Sequence, residues 1–189
     1  QLIATPSANY HFVSWSDGNT ESTRTITVTS NVSLTASFAT DIYSVSVTAS
    51  TGGSVNSVNG TYNYGTELQL IATPSANYHF VSWSDGSTES TRTITVSSAV
   101  NLVASFAIDT YTVSISSGSG GTVNTAINGT YNYGSSVELI ATPSANYHFV
   151  SWNDGNTEST RTITVTSAVS LTGSFAIDTY TVSVTSGTG

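Results

Sequence analysis

The sequence predicts an all-β protein built from tandem small antiparallel domains, sandwich-like, arranged end to end as a rod. Three observations predict it. The string Leu-Ile-Ala-Thr-Pro-Ser-Ala-Asn-Tyr-His-Phe-Val-Ser-Trp begins at Leu2, Leu70 and Leu139, giving periods of 68 and 69 residues. Apolar and polar residues alternate with a period of two through most of the chain, and helical periodicity is nearly absent. Asn-Gly, Asp-Gly and Gly-Gly pairs punctuate the alternating runs. The period exceeds the roughly 20–50 residues of solenoid units, so each copy reads as a small domain in its own right.

The elements of one repeat follow in order. Tyr43, Val45, Val47 and Ala49 fall on one face of an opening strand, with Ser44, Ser46 and Thr48 on the other. Thr51-Gly52-Gly53 turns the chain. Asn59-Gly60 then sits between Val55–Val58 and Thr61–Tyr64, a pairing that favours a two-residue hairpin, and Asn128-Gly129 repeats it. Leu68, Leu70 and Ala72 continue the alternation until Pro74 ends the strand. The stretch Tyr78–Trp83 is apolar on both faces, which predicts a strand covered on two sides. Asp85-Gly86 turns the chain again, as do Asp17-Gly18 and Asp154-Gly155. In the following strand Thr23, Thr25 and Thr27 alternate with Arg24, Ile26 and Val28. Val32, Leu34, Ala36 and Phe38 point inward from the last strand, with Ser33, Thr35 and Ser37 outward. The tally is about six short antiparallel strands from Tyr43 to Ala107.

Differences between copies support this register. Thr35 becomes Val103 and Ser33 becomes Asn101, both at outward positions, while Val32, Val100 and Val169 or Phe38, Phe106 and Phe175 keep the inward set. The one extra residue of the longer period lies just ahead of Asn128-Gly129. A unit of this size buries only about 60% of its unfolded surface. Trp15, Trp83 and Trp152, with the adjacent Tyr-His-Phe, are therefore the expected core plugs.

By this phasing residues 1–41 are the latter part of a repeat, 42–109 and 110–178 are complete repeats, and 179–189 open a further one. The junctions Phe38-Ala39-Thr40-Asp41-Ile42-Tyr43 and Phe106-Ala107-Ile108-Asp109-Thr110-Tyr111 contain neither Gly nor Pro. Flexible linkers are longer and rich in Gly or Ser, so neighbouring repeats are expected to be fixed relative to each other. The out-of-phase ends fit either a window from a longer array or strand exchange, in which Tyr180–Thr185 completes the N-terminal half-repeat of another chain. The lack of methionine and of a signal peptide leads us to expect a mature segment or fragment.

Composition narrows the partners. Hydrophobic residues make up 38% of the chain and aromatic residues 10%, which suits folded β domains. Charged residues are only 7%, so hydroxyls and amides must carry solubility. Three arginines and no lysine face eleven carboxylates, for a net charge of −8. That sign disfavours nucleic acid and anionic membrane surfaces as partners. Without cysteine there are no disulfides or thiolate metal sites, and without lysine no Lys–Asn cross-link can brace a domain. No apolar run reaches the roughly 18 residues of a transmembrane helix, so membrane insertion is not expected.

The combined motifs Tyr-Thr-Val-Ser-Val, Gly-Gly-(Ser/Thr)-Val, Gly-Thr-Tyr-Asn-Tyr-Gly, Leu-Ile-Ala-Thr-Pro, Tyr-His-Phe-Val-Ser-Trp-Ser-Asp-Gly, Thr-Ile-Thr-Val and Leu-Val-Ala-Ser-Phe resemble the divergent branch of the internalin B-repeat family. The resemblance covers essentially the whole chain. It implies a small extracellular β domain, repeated in bacterial surface and secreted proteins as stalk, spacer or adhesion module. It also implies a β-grasp-like alternative with a short helix. No segment here has helical periodicity, which favours an all-β variant. The family carries no catalytic residues to transfer.

Candidate sites are few. His11, His79 and His148 occur once per repeat between Tyr and Phe, with no second His or Cys nearby in sequence, and read as strand histidines. His11, Ser14 and Asp17 suggest a triad, but His11 and Ser14 are an odd number of residues apart, which in a regular strand places them on opposite faces. The acidic turns supply the calcium candidates Asp17, Glu21, Asp85, Glu89, Asp154 and Glu158; two carboxylates per turn fall short of calcium's six to eight oxygens, so a plain Asp-Gly turn is the preferred reading. Tyr62, Tyr64, Tyr131 and Tyr133 alternate beside Asn-Gly and are candidates for stacking on sugar rings or for covering the core. The sequons Asn31, Asn59 and Asn128 are possible only where the source glycosylates such sites.

The expected function is therefore a non-catalytic extracellular structural segment with no cofactor, the stiff shaft of a bacterial surface adhesin or filament. Its expected partners are neighbouring repeats or identical chains. The alternative is a module that binds a surface glycan or protein and gains through multivalency.

Overall fold

A computed structural model describes residues 1–187, and its regular structure is almost entirely strand. The chain divides into two compact units, Gln1–Ala107 and Ile108–Gly189. The first unit begins with a truncated repeat of four strands: β1 (Leu2–Ile3), β2 (Tyr10–Trp15), β3 (Thr23–Arg24) and β4 (Ala36–Thr40). A complete repeat follows, with β5 (Ile42–Ala49), β6 (Gly53–Val55), β7 (Gly60–Asn63), β8 (Glu67–Pro74), β9 (Tyr78–Trp83), β10 (Thr91–Thr95) and β11 (Val100–Ile108). These form a four-stranded sheet, β7-β5-β11-β9, and a three-stranded sheet, β10-β8-β6.

The second unit repeats that plan. Its strands are β12 (Thr110–Ser117), β13 (Gly121–Val123), β14 (Gly129–Asn132), β15 (Ser136–Pro143), β16 (Tyr147–Trp152), β17 (Thr160–Thr164) and β18 (Val169–Ile177). The sheets are β14-β12-β18-β16 and β13-β15-β17. A single 3-10 turn, Thr125–Ile127, takes up the inserted residue.

Both sheets of a repeat feed one core, which is what makes the repeat sandwich-like. In the first unit Val45, Val47 and Leu102 from one sheet meet Leu70 and Ala72 from the other around Trp83. In the second, Val113, Ile115 and Leu171 meet Leu139 and Ala141 around Trp152. The expected inward set of the opening strand is the buried set, because its hydroxyl-bearing partners point to water.

Three local expectations need correction. The sheet is not wholly antiparallel: β5 runs parallel to β11, with Val45 opposite Val100 and Val47 opposite Leu102. Alternation fixes which face a residue occupies but carries no information on strand direction. The opening and closing strands can lie parallel because the five strands between them, β6 to β10, supply the long connection that such a pair requires. Secondly, Asn59-Gly60 is not a hairpin turn. β6 pairs with β8 and β7 with β5, so the dipeptide carries the chain from one sheet to the other. The Asn59 amide oxygen accepts the Val47 N–H at 2.6 Å, which ends the β5–β7 ladder. The count per complete repeat is accordingly seven strands, not six.

Thirdly, Tyr78–Trp83 is not covered on both sides, since β9 lies at a sheet edge with Val81 exposed. Its apolar run has another cause. In the equivalent strands a β-bulge shifts the register between Phe149 and Ser151, and between Phe12 and Ser14. The extra residue, Val150 or Val13, points out to solvent. Phe149 and Trp152 then share the inner face despite odd spacing, with ring centroids 5.5 Å apart. The Gly-Gly pair has an equally specific task. Gly52 has φ +97°, and a Cβ there would overlap the Tyr78 ring, while a Cβ on Gly53 would overlap the Phe106 ring.

Candidate repeat junction

The acidic turns are each built around an Asp–Arg pair. Gly18 takes a positive φ, the Asn19 N–H donates to Asp17 Oδ1 at 3.2 Å, and the Glu21 N–H donates to Asn19 Oδ1 at 2.9 Å. Arg24 then grips the Asp17 carboxylate with two bonds, at 2.8 and 2.6 Å. Arg92 holds Asp85, and Arg161 holds Asp154, in the same bidentate way. These guanidinium bonds are the main reason that the carboxyls of Asp17, Asp85 and Asp154 sit below the ordinary aspartate range. The Arg92 and Arg161 guanidiniums lie 5.7 and 5.9 Å from the Trp83 and Trp152 ring centres. Each indole N–H donates to a glutamate backbone carbonyl, of Glu21, Glu89 and Glu158 in turn, at 2.9 Å.

This arrangement engages the calcium candidates otherwise. The aspartates serve arginine, and the glutamates contribute backbone carbonyls to tryptophan. Among the described residues no group of three or more His, Asp or Glu is placed to hold a metal ion. Two of the sugar-stacking candidates are likewise tied down. Tyr62 packs on the core and its hydroxyl donates to Val58 C=O at 3.0 Å, and Tyr131 donates to Ile127 C=O at 2.6 Å. Both side chains cover the core and remain half-buried. Tyr64 is exposed and Tyr133 half-buried, just beyond the ends of β7 and β14.

The histidines have an assignment that sequence reasoning missed. His11 Nδ1 lies 3.1 Å from Asp41 Oδ1, and His148 Nδ1 lies 2.9 Å from Asp178 Oδ1. The bulge also overturns the parity argument, because His11 and Ser14 pair with Ala39 and Ser37 and so share a face. What engages the His11 ring is the aspartate of the repeat junction. The Asp41 N–H donates to Asn9 C=O at 2.9 Å, and the Asp41 C=O accepts the Tyr64 N–H at 2.7 Å. Asn9 adopts φ 65°, a left-handed conformation that asparagine tolerates, and this aims its carbonyl at the junction. Asp41 is thus held from both sides: the truncated repeat binds its N–H and carboxylate, and the complete repeat binds its C=O. In the second unit the Tyr133 N–H donates to Asp109 C=O, and the Asp178 N–H to Asn146 C=O, both at 2.8 Å, with Asn146 at φ 65°. The sequence did hold a signal, an aspartate 30 residues after the histidine in each pair.

A profile of the divergent InlB B-repeat domain matches residues 1–42, 43–110 and 111–179. The chain belongs to the divergent InlB B-repeat family. Among solved structures it is similar to Streptococcal High Identity Repeats in Tandem (SHIRT) domains 3-4 from a cell surface protein. That likeness has 15% identity, covers 72% of this chain and 97% of that one, and has a TM-score of 0.26. No curated protein matches the chain.

The first InlB B-repeat of the chain also lines two openings. An open groove of about 450 Å³ is lined by Leu2, Trp15, Ile26, Val28, Val32 and Leu34. A second opening, of about 240 Å³, lies beside Tyr10 and Phe38. In the complete repeat Gly52 and Gly53 pack against the equivalent rings, Tyr78 and Phe106. Among the described residues no helix is long and apolar enough to cross a membrane.

Proposed function

We propose that this chain is a non-catalytic structural segment of a bacterial surface or secreted protein, acting outside the cell as the stiff shaft of an adhesin or filament. The observation that carries the reading is the Asp41 junction. Three hydrogen bonds converge on one residue from the two repeats it joins. Backbone bonds at a junction resist swivelling in a way that a Gly/Ser linker cannot. Membership of a repeat family and the absence of Gly and Pro from both junctions support it. Small-angle scattering of the full chain is the test. A single extended conformation is expected, and a profile requiring independently tumbling repeats would overturn the reading.

Joining of identical chains by strand exchange is the finer form of the same reading. Partners are then neighbouring repeats and identical chains, with repeats that project a shared surface as the basis for any glycan or protein binding through multivalency.

A further inference from the structure

In each complete repeat the strand that brings the chain in and the strand that takes it out are neighbours, and they run parallel. β5 and β11 pair from Val45 opposite Val100 to Ala49 opposite Ala104. β12 and β18 pair from Val113 opposite Val169 to Ser117 opposite Gly173. The pair is the centre of its four-stranded sheet, with β7 or β14 backing the entering strand and β9 or β16 backing the leaving one. Because the two strands point the same way, the chain enters at one end of the pair, at Ile42, and leaves at the other, at Ile108. Antiparallel neighbours would have put both at the same end. A single residue, Asp41 or Asp109, joins consecutive repeats, so tension along the array reaches the pair with no slack linker between.

Such tension draws β5 backwards and β11 forwards, each along its own axis. The evenly spaced bonds of a parallel ladder lie across that direction, so all of them are strained together. Peeled apart from one end, the same bonds would break one at a time, each worth only about 0.5–1.5 kcal/mol. Side chains add to the resistance. Val45, Val47, Leu102 and Ala104 are buried, and sliding would pull them past the Leu70 and Trp83 side chains that share their core. The ladder is also extended at its far end. The Ser50 N–H donates to Ala104 C=O at 2.8 Å, and Ser50 Oγ accepts the Phe106 N–H at 3.1 Å. In the second unit the Gly118 N–H donates to Gly173 C=O at 2.8 Å, and the Ser116 and Thr172 hydroxyls lie 2.8 Å apart.

We infer that the parallel β5–β11 pair, and its copy β12–β18, is a shear clamp that lets each repeat transmit tension without unfolding. The inference rests on the reading of the chain as a shaft, and it names the force that the shaft withstands. Resistance to bending belongs to the junctions, where Asp41 is held by Asn9, His11 and Tyr64. Resistance to stretching belongs to the central pair inside each repeat. The two properties use different residues and can be lost separately.

The absence of cysteine makes introduced thiols unique handles for optical tweezers on the full chain. Ile42→Cys, exposed at the start of β5, is one handle in both pulling geometries. Paired with Thr110→Cys, just beyond the end of β11, it shears the clamp; paired with Ser98→Cys, just before β11 begins, it peels the clamp from one end. Either rupture releases about 200 Å of chain, which identifies the same unfolding event. At equal loading rate the sheared repeat is expected to yield at a force at least about twofold higher, since its bonds fail together. Ser50→Ala should lower the shearing force and leave the peeling force unchanged, because peeling starts at the opposite end of the ladder. Equal forces in the two geometries, or a Ser50→Ala effect of the same size in both, overturn the clamp and leave the stiff shaft standing. Repeats that tumble independently in scattering overturn the shaft and leave a measured force difference within the repeat intact.

Discussion

Residues 2–38 and 70–106 are nearly the same sequence folded in two different settings, and their burial diverges. Val28 is 67% exposed, whereas Val96 and Val165 are 0% exposed. β3 holds two residues where β10 holds five, and β4 starts at Ala36 where β11 starts at the equivalent of Val32. Among the described residues, β5, β6 and β7 pack on the second copy and have no counterpart on the first. Alternation in a segment therefore states a capacity to form a strand, and the neighbouring strand realises it. The tryptophan behaves differently. Trp15 remains buried even in the first copy, because its partners Phe12 and the Glu21 carbonyl both lie within those residues.

The comparison is broken most strongly at the tryptophan. Trp83→Ala is expected to cost about 3–5 kcal/mol, comparable to the stability of a domain this small, and to abolish its cooperative unfolding transition in a denaturant titration. Trp15→Ala should cost clearly less, since its site already opens onto the groove. Equal losses at the two positions would refute the view that the truncated repeat lacks a closed core.

The next largest effect is expected at the paired glycines. Gly53→Ala and Gly121→Ala each drive a methyl group into a phenylalanine ring, at a cost of about 1–3 kcal/mol read from urea midpoints. The truncated copy has no Gly-Gly against Phe38, so the rings should respond differently to the same change in environment. Near-wild-type melting of Gly53→Ala would mean that Phe106 is not seated where the structure places it.

Acid titration sharpens the comparison without a mutation in the core. Asp17, Asp85 and Asp154 have carboxyls depressed in the folded state by their arginines. A depressed folded value means that their contribution is present above the unfolded aspartate value of about 3.9 and is lost as pH falls through the lower folded values. Stability should thus be flat near neutrality and decline below about pH 4. Asp85→Asn and Asp154→Asn should flatten that acidic limb. These carboxylates are solvent-exposed, so the effect is small beside the core changes.

The smallest effect on stability, and the most specific on geometry, is expected at the junction. Asp41→Asn keeps the backbone bonds to Asn9 and Tyr64 but removes the carboxylate that meets His11. Melting should hardly move, while residual dipolar couplings across the junction should report a wider spread of repeat orientations. His11→Ala should reproduce the spread. An unchanged set of couplings in both variants would leave the backbone bonds as the whole basis of rigidity.

Much of the complete repeats was legible in their residues. The inward positions of β5, β8 and β11 were correct because hydroxyl and aliphatic side chains alternate there without ambiguity. Trp83 and Trp152 were correctly read as core plugs because few other side chains could fill so small a core. The 30-residue spacing of the junction aspartate and its histidine recurs in the sequence, but that the two meet is decided only by the path of the intervening strands. Tyr62 and Tyr131 were ambiguous from their alternation, and only the carbonyls of Val58 and Ile127 decide that they face the core.

What the sequence determined by itself is local: the repeat, the two-residue alternation, the turn glycines and the identity of the aromatic core. Each follows from residue type and spacing, which are properties of a short segment. Tertiary structure alone decided that the central strands run parallel, that Asn59-Gly60 passes between sheets, that a bulge turns Phe and Trp to the same side, and that Val28 is bare where Val96 is buried. These depend on which strands lie side by side, and hydrogen bonds between distant segments settle that by satisfying every buried backbone group at once.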